Sequence, residues 1–191
     1  MYLLRHGQSY FNVHYSATGI DPGIEDPELT PLGHQQAAAA AQQLADAQIA
    51  HVIVSPYTRA LQTAEPLLGA PPLPGAAARS VRVMHEVRER RVFACDVGSS
   101  PAQLATRFPH HDFSHLPTQW WPQDLESERA TIARAAAFRE FMAANADSAH
   151  TVVVAHWAFI LALSGRSVEN GELLQYDPRS RPPRRVTFDH P

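Results

Sequence analysis

The 191-residue chain contains no lysine: all sixteen basic residues are arginine. Together with the many alanines and sixteen prolines, this reads as a GC-rich coding bias and not as a functional device. Cys95 is the single cysteine, which excludes an intramolecular disulfide and suits a reducing compartment. No run approaches the roughly 20 apolar residues needed to cross a bilayer, so no membrane association is expected. The stretch Met1 to His6 shows no basic leader and no signal-like apolar segment, leaving cytoplasmic as the default location. A formal charge of −3 lacks the basic footprint of nucleic-acid binders. Repeats and linkers are missing too, so residues 1–191 are expected to form one domain.

What is present is periodic. Tyr2-Leu3-Leu4, His51-Val52-Ile53-Val54 and Thr151-Val152-Val153-Val154-Ala155 are short apolar runs that lead straight into helix signals. Val81-Arg82-Val83-Met84 is a fourth, interrupted by Arg82. Continuous Val/Ile runs predict parallel strands covered on both faces. Thr30-Pro31 places a capping hydroxyl before a proline at the first helical position, and Ser55-Pro56 repeats that signal. The first of these helices should bury Ala37, Ala40, Ala41 and Leu44. A longer helix is predicted from about Ser127 to Asn145, with Ala135, Phe138, Phe141 and Met142 inward, and a last one from near His156 to Gly165. The alternation predicts an α/β fold: a three-layer α/β/α sandwich with a mainly parallel central sheet.

In such sheets ligands gather at the carboxyl ends of the strands, where helix N-termini favour anions. Three strand ends here deliver Arg5-His6-Gly7, Arg59 and His156 to that edge. Each alone has a bland explanation. A lone histidine is usually packed or on the surface, and Arg59 can point into solvent. Two imidazoles and two guanidiniums at matching strand ends are harder to attribute to packing. Gly7 would let the backbone approach a ligand. Arg59 in a first helical turn opposes the macrodipole by about 0.3–1 kcal/mol, a conflict that a bound anion would remove.

These residues form a pattern. Arg5-His6-Gly7 with Ser9 and Asn12, Leu29-Thr30-Pro31-Leu32-Gly33 with Gln36-Ala37, Ser55-Pro56-Tyr57-Thr58-Arg59-Ala60 with Gln62-Thr63-Ala64, Val87-Arg88-Glu89, and Val152-Val153-Val154-Ala155-His156 occur in that order over about residues 1–165. The set resembles the histidine phosphatase superfamily, with its phosphoglycerate-mutase-like fold. The resemblance implies a phosphatase that acts on a small phosphorylated molecule, without metal or cofactor. His6 would be the nucleophile that carries the phosphoryl group. Arg5, Arg59 and His156 would hold the non-bridging oxygens, with Ser9 and Asn12 among the phosphate-binding residues. Glu89 would be the proton donor and acceptor, and Glu86, three residues earlier, is the other acidic candidate. Nearby arginine charges should keep His6 neutral, as a nucleophile must be.

The chain departs from the family where Trp157-Ala158 replace two glycines common after the second histidine. Cys95-Asp96-Val97-Gly98 and Trp120-Trp121 also stand apart from the mutases. Residues 93–125, rich in Pro, His and aromatics, are expected to form a lid or insertion. Within it Trp120 and Trp121 either pack that segment onto the core or line a substrate pocket. His110-His111-Asp112 with His115 has a possible metal spacing, which a polar loop explains more cheaply, so no metal site is expected. The Pro- and Arg-rich stretch from Pro178 to Arg185 reads as a turn or a mobile end. Two rival functions remain: a cofactor-dependent phosphoglycerate mutase, and a non-catalytic module that binds a phospho-ligand. The sequence sets neither the substrate nor an oligomeric state.

Overall fold

The computed structural model of the protein describes residues 1–69 and 79–188. Among these residues five strands form one sheet: β1 (Tyr2–Arg5), β2 (His51–Val54), β3 (Ser80–Val83), β4 (Thr151–Ala155) and β5 (Leu173–Gln175). Their order is β3-β2-β4-β1-β5, and every pairing is parallel except β1 with β5. The antiparallel edge strand β5 has three residues, too few for a period of its own. Among the described residues six α-helices flank the sheet: α1 (Tyr10–Thr18), α2 (Pro31–Gln43), α3 (Thr58–Gly69), α4 (Pro101–Arg107), α5 (Glu128–Ala144) and α6 (Trp157–Ser164).

Strand alternation makes the three layers, because successive side chains point to opposite faces. Leu4, Val52, Val54, Val152 and Val154 face α2, α3 and the residues of 104–120, packing with Ala40, Leu44, Leu61, Leu104 and Trp120. Leu3, Ile53, Val153 and Ala155 face the other way, onto Phe138 and Met142 of α5 and Phe159 and Ile160 of α6. Both faces are covered, so the central strands read as unbroken apolar runs.

Local signals explain most helix limits. Thr30 accepts a hydrogen bond from Gly33 N with Pro31 at the first position of α2, and Ser127 caps α5 through Ala130 N. Ser55-Pro56 behaves differently. Helix α3 begins only at Thr58, and the Ser55 hydroxyl meets His156 instead of capping. Phe141, expected inward, is 41% exposed, while Ala135, Phe138 and Met142 are buried as their spacing predicts. Trp120 is buried in the core and donates its indole N–H to Ser99 O at 2.9 Å. That supports packing over substrate contact for this residue. The stretch after Asp177 is irregular and runs back over the molecule, so that Phe188 stacks edge-on to Trp157 with ring centres 6.4 Å apart. Among the described residues no helix is long and apolar enough to cross a membrane.

Candidate active site

The end of β1 is held rigidly. His6 N donates to Ala155 O at 3.0 Å, Gly7 N to Thr63 Oγ1 at 3.0 Å, and Asn170 Nδ2 to His6 O at 3.0 Å. The His6 ring places Nδ1 2.7 Å from Gly7 O. A carbonyl only accepts, so Nδ1 carries the proton and the Nε2 lone pair is left for chemistry. Burial, then the charges of Arg59 and Arg5, hold the His6 pKa well below the ordinary imidazole range. The ring is therefore neutral. Gly7 is needed for close backbone packing: a Cβ there would collide with the Gly33 carbonyl, and a Cβ on Gly33 with Gln8 O. The two glycines let the β1 loop lie against the start of α2.

Arg5 and Arg59 are buried, at 5% and 3% exposure. Arg5 donates through Nη1 to Val168 O at 2.7 Å. Arg59 donates to Cys95 O at 2.7 Å and lies 3.2 Å from the Asp96 carboxylate. Its guanidinium also stacks 4.3 Å above the Tyr57 ring. The anion that relieves Arg59 at the head of α3 is thus supplied within the protein by Asp96. Tyr57 donates its hydroxyl to Asp96 O at 2.6 Å, fixing that backbone.

His156 lies against His6, ring centres 5.0 Å apart, and is wholly buried. Its Nε2 lies 2.8 Å from Ser55 Oγ. With the hydroxyl donating there, Nδ1–H is a donor, and it has no partner; Arg5 Nε is likewise buried and unpartnered. Unsatisfied buried polar groups cost about 1–3 kcal/mol each. Two of them beside one histidine fit a floor built for an anion. Burial, reinforced by Arg59, also lowers the His156 pKa well below normal.

Glu89 accepts from Ala158 N, in the first turn of α6, at 3.1 Å, and from Arg90 N at 2.8 Å. Burial and the Asp96 charge raise its pKa, and these two hydrogen bonds only partly oppose the rise. The loop that carries it is tied to α5: Arg134 donates to Glu86 O and Arg88 O at 2.9 and 2.8 Å, and pairs with Glu126 at 2.7 Å. Arg88 meets the same carboxylate at 3.4 Å. Glu86 is half exposed, faces His85 and does not line the pocket. Ser9 and Asn12 cap α1 reciprocally. Asn12 Oδ1 accepts from Ser9 N, Ser9 Oγ and Asn170 Nδ2, which leaves its own Nδ2 protons for a ligand.

Arg5, His6, Ser9, Asn12, Arg59 and Glu89 line one cavity of about 170 Å³ at the carboxyl edge of the sheet, with His156 behind His6. Trp120 and Trp121 do not line it. The histidine-rich stretch disperses: His115 bonds to Val83 O, and His111 lies between the Phe108 and Phe113 rings. Among the described residues no three or more His, Cys, Asp or Glu side chains group to hold a metal ion.

The sequence model of the histidine phosphatase superfamily (branch 1) matches residues 1–178. The chain belongs to the histidine phosphatase superfamily. Among solved structures, this histidine phosphatase is similar to mycobacterial glucosyl-3-phosphoglycerate phosphatase in complex with VO3, at 25% identity and TM-score 0.61, covering 91% of this chain and 88% of that one. Phosphoserine phosphatase from Entamoeba histolytica shares the fold at 21% identity and TM-score 0.57, over 90% and 87% of the two chains. Among curated proteins, fructose-2,6-bisphosphatase TIGAR B of Danio rerio is 45% identical over 67 residues, 35% of this chain and 25% of that protein. The match therefore spans about a quarter of that relative's length.

Several members of this site carried no usable signal in the sequence. Asp96 ends a single 3-10 turn (Ala94–Asp96), too short to carry a period, and its importance follows from its contacts with Arg59, Val92 N and Phe93 N. Ser55 looked like a helix cap. Asn170 and Arg134 act through the backbone of the residues they hold, Glu126 acts through the side chains of Arg134 and Arg88, and nothing in their spacing points to the pocket; Thr63 stands in the family pattern, which gives it no role.

Proposed function

We propose that the protein is a metal-independent phosphomonoester hydrolase that works through a phosphohistidine on His6. The observation that carries this reading is the geometry of the His6 ring: its Nδ1 is bound to Gly7 O, and it faces a cavity whose floor also holds Arg5 and Arg59. A small phosphorylated molecule places its phosphoryl group there. His6 Nε2 attacks phosphorus, the P–N bond forms, and the P–O bond to the leaving group breaks. Glu89 gives its proton to the leaving oxygen as that bond breaks. Water then attacks the phosphohistidine, Glu89 takes a proton from it, the P–N bond breaks, and inorganic phosphate leaves.

The electrostatic demands agree with these roles. Phosphoryl transfer requires positioning and stabilisation of charge on the equatorial oxygens, which guanidinium groups and N–H donors supply. Arg5, Arg59, His156 Nδ1 and Asn12 Nδ2 are the donors available to it. A carboxyl group with a raised pKa is suited to remain protonated until the leaving oxygen needs the proton. Family membership supports the reading, as do the phosphatases named among its relatives.

The test is to trap the intermediate. Enzyme quenched in base during turnover of a labelled phosphomonoester should retain label on the peptide containing His6, in a bond stable to alkali and labile to acid. Label on Ser9, or activity lost on chelation, would overturn the mechanism. Transfer of phosphate to a second hydroxyl in preference to water would make it a mutase.

A further inference from the structure

Above the phosphate floor, the same cavity is walled by Phe11, Val92, Phe93, Trp157 and Phe188. These come from α1, the loop after Glu89, the start of α6 and the irregular stretch after Asp177, so the wall is a tertiary construction. Its rings pack on one another: Phe11 and Phe93 lie 5.3 Å apart, Tyr15 stacks behind Phe11 at 5.3 Å, and Trp157 meets Phe188 edge-on. The polar lining atoms are largely engaged within the protein. Asp96 accepts from Val92 N, Phe93 N and Arg59; Ser9 bonds to Asn12; the Trp157 indole donates to Ser167 Oγ at 2.9 Å. Arg90, the remaining cation among the described lining residues, donates to Glu126 O at 3.0 Å, lies 3.5 Å from Glu128, and covers the Phe188 ring at 5.2 Å.

On the reading of this site as a phosphatase, we propose that its substrate is a phosphomonoester whose leaving group is a compact apolar alcohol or phenol, recognised by this wall. Hydroxyl-rich leaving groups would lose water to ring faces that cannot replace its hydrogen bonds. A second anionic group would meet an Arg90 already shared between a carboxylate, a carbonyl and a ring. Size points the same way. A cavity of about 170 Å³ is well below the roughly 300–1,000 Å³ of sites that hold drug-sized ligands, so one phosphate and a few carbons fill it. This separates the chain from the glucosyl phosphoglycerate and the fructose bisphosphate in the names of two of its relatives.

The experiment uses two matched series. Methyl- through butylphosphonate, which cannot be hydrolysed, are titrated calorimetrically into the whole protein, alongside phenylphosphonate and a glycerol-like dihydroxypropylphosphonate. Affinity should rise about fourfold per methylene, the factor equivalent to ~0.8 kcal/mol per buried CH₂, and the dihydroxypropyl compound should bind more weakly than propyl. Phe188→Ala, and separately Phe93→Ala, should flatten the rise. The matching alkyl phosphates, whose leaving alcohols differ little in basicity, should show the same rise in kcat/KM. A flat phosphonate series, or preference for the dihydroxypropyl compound, would overturn the apolar wall as the specificity element, whatever the turnover. Rising phosphonate affinity with no hydrolysis of any ester would uphold the wall and refute the phosphatase reading.

Discussion

The floor and the wall of the cavity are built on opposite principles. The floor is charged, and its groups are fixed by hydrogen bonds: His6 by Gly7 O and Asn170, Arg59 by Cys95 O and Asp96, Glu89 by Ala158 N and Arg90 N. The wall is a valine and rings that pack on one another, while hydrogen bonds to Asp96 hold the backbone of Val92 and Phe93. Fixed dipoles are what a charge-developing reaction needs, since nothing must reorganise when charge moves. Apolar contact tolerates small displacements. The floor should therefore govern rate, and the wall should govern choice.

The sharpest way to break that distinction is His6→Ala. It should abolish turnover, by roughly 10⁴- to 10⁶-fold, because no neighbour can form the covalent bond in its place. Circular dichroism should show the fold retained, and vanadate should still bind to the surviving arginines. Phe188→Ala should change kcat on methyl phosphate by less than about tenfold. A wall variant as damaging as the floor variant would erase the division. Glu89→Gln should come next. It should lower kcat by about 10²–10⁴-fold for alkyl esters and much less for nitrophenyl phosphate, since proton donation matters most to a basic leaving oxygen. Glu86→Gln, out of the pocket, should leave both rates near wild type; equal losses on the two esters in Glu89→Gln would point to a structural role.

A third measurement concerns stability. His6 and His156 are held neutral in the fold, with pKa values well below the ordinary value of 6.5, mainly through burial. The unfolded chain binds protons first as pH falls, so their contribution is complete above 6.5 and is lost below it. Between pH 6.5 and 5 each should steepen the loss by up to about 1.4 kcal/mol per pH unit. His156→Asn should remove one share of that slope in urea titrations, whereas Phe188→Ala should leave the slope unchanged. An unaltered slope in His156→Asn would mean that this imidazole is not held neutral.

The same contrast explains what was legible in the sequence. Arg5, His6, Arg59 and His156 stand at strand ends or in the helical turns that follow them, so local order alone placed them on one edge. Strands β1, β2 and β4 were readable because burial on both faces leaves no polar interruption. The wall was not readable, because Phe11, Phe93, Trp157 and Phe188 share no period and no local signal. Identical signals also had different uses. Thr30 before Pro31 caps α2, but Ser55 before Pro56 gives its hydroxyl to His156, and α3 starts later. Helical spacing pointed Phe141 inward, yet it lies 41% exposed with Arg82 5.7 Å from its ring.

Asp96 is where the two halves join, and it provides the smallest but most discriminating test. One carboxylate oxygen, Oδ1, faces Arg59 on the floor; the other, Oδ2, accepts from Val92 N and Phe93 N and so holds the wall in place. Asp96→Asn can keep the backbone bonds through its carbonyl oxygen while losing the charge. Arg59 then loses its counter-charge, and inorganic phosphate should inhibit about 2- to 10-fold more tightly, a change of the size of one net hydrogen bond. Glu89 loses a charge that raises its pKa, so it should deprotonate at lower pH. The alkaline limb of kcat/KM for alkyl esters, which reports the protonated acid, should move to lower pH accordingly. The rise of affinity with alkyl length should survive in Asp96→Asn and diminish in Asp96→Ala, which cannot hold Val92 and Phe93. If both variants leave the alkyl series intact, the wall does not depend on Asp96, and the floor and the wall are independent structures that happen to share a cavity.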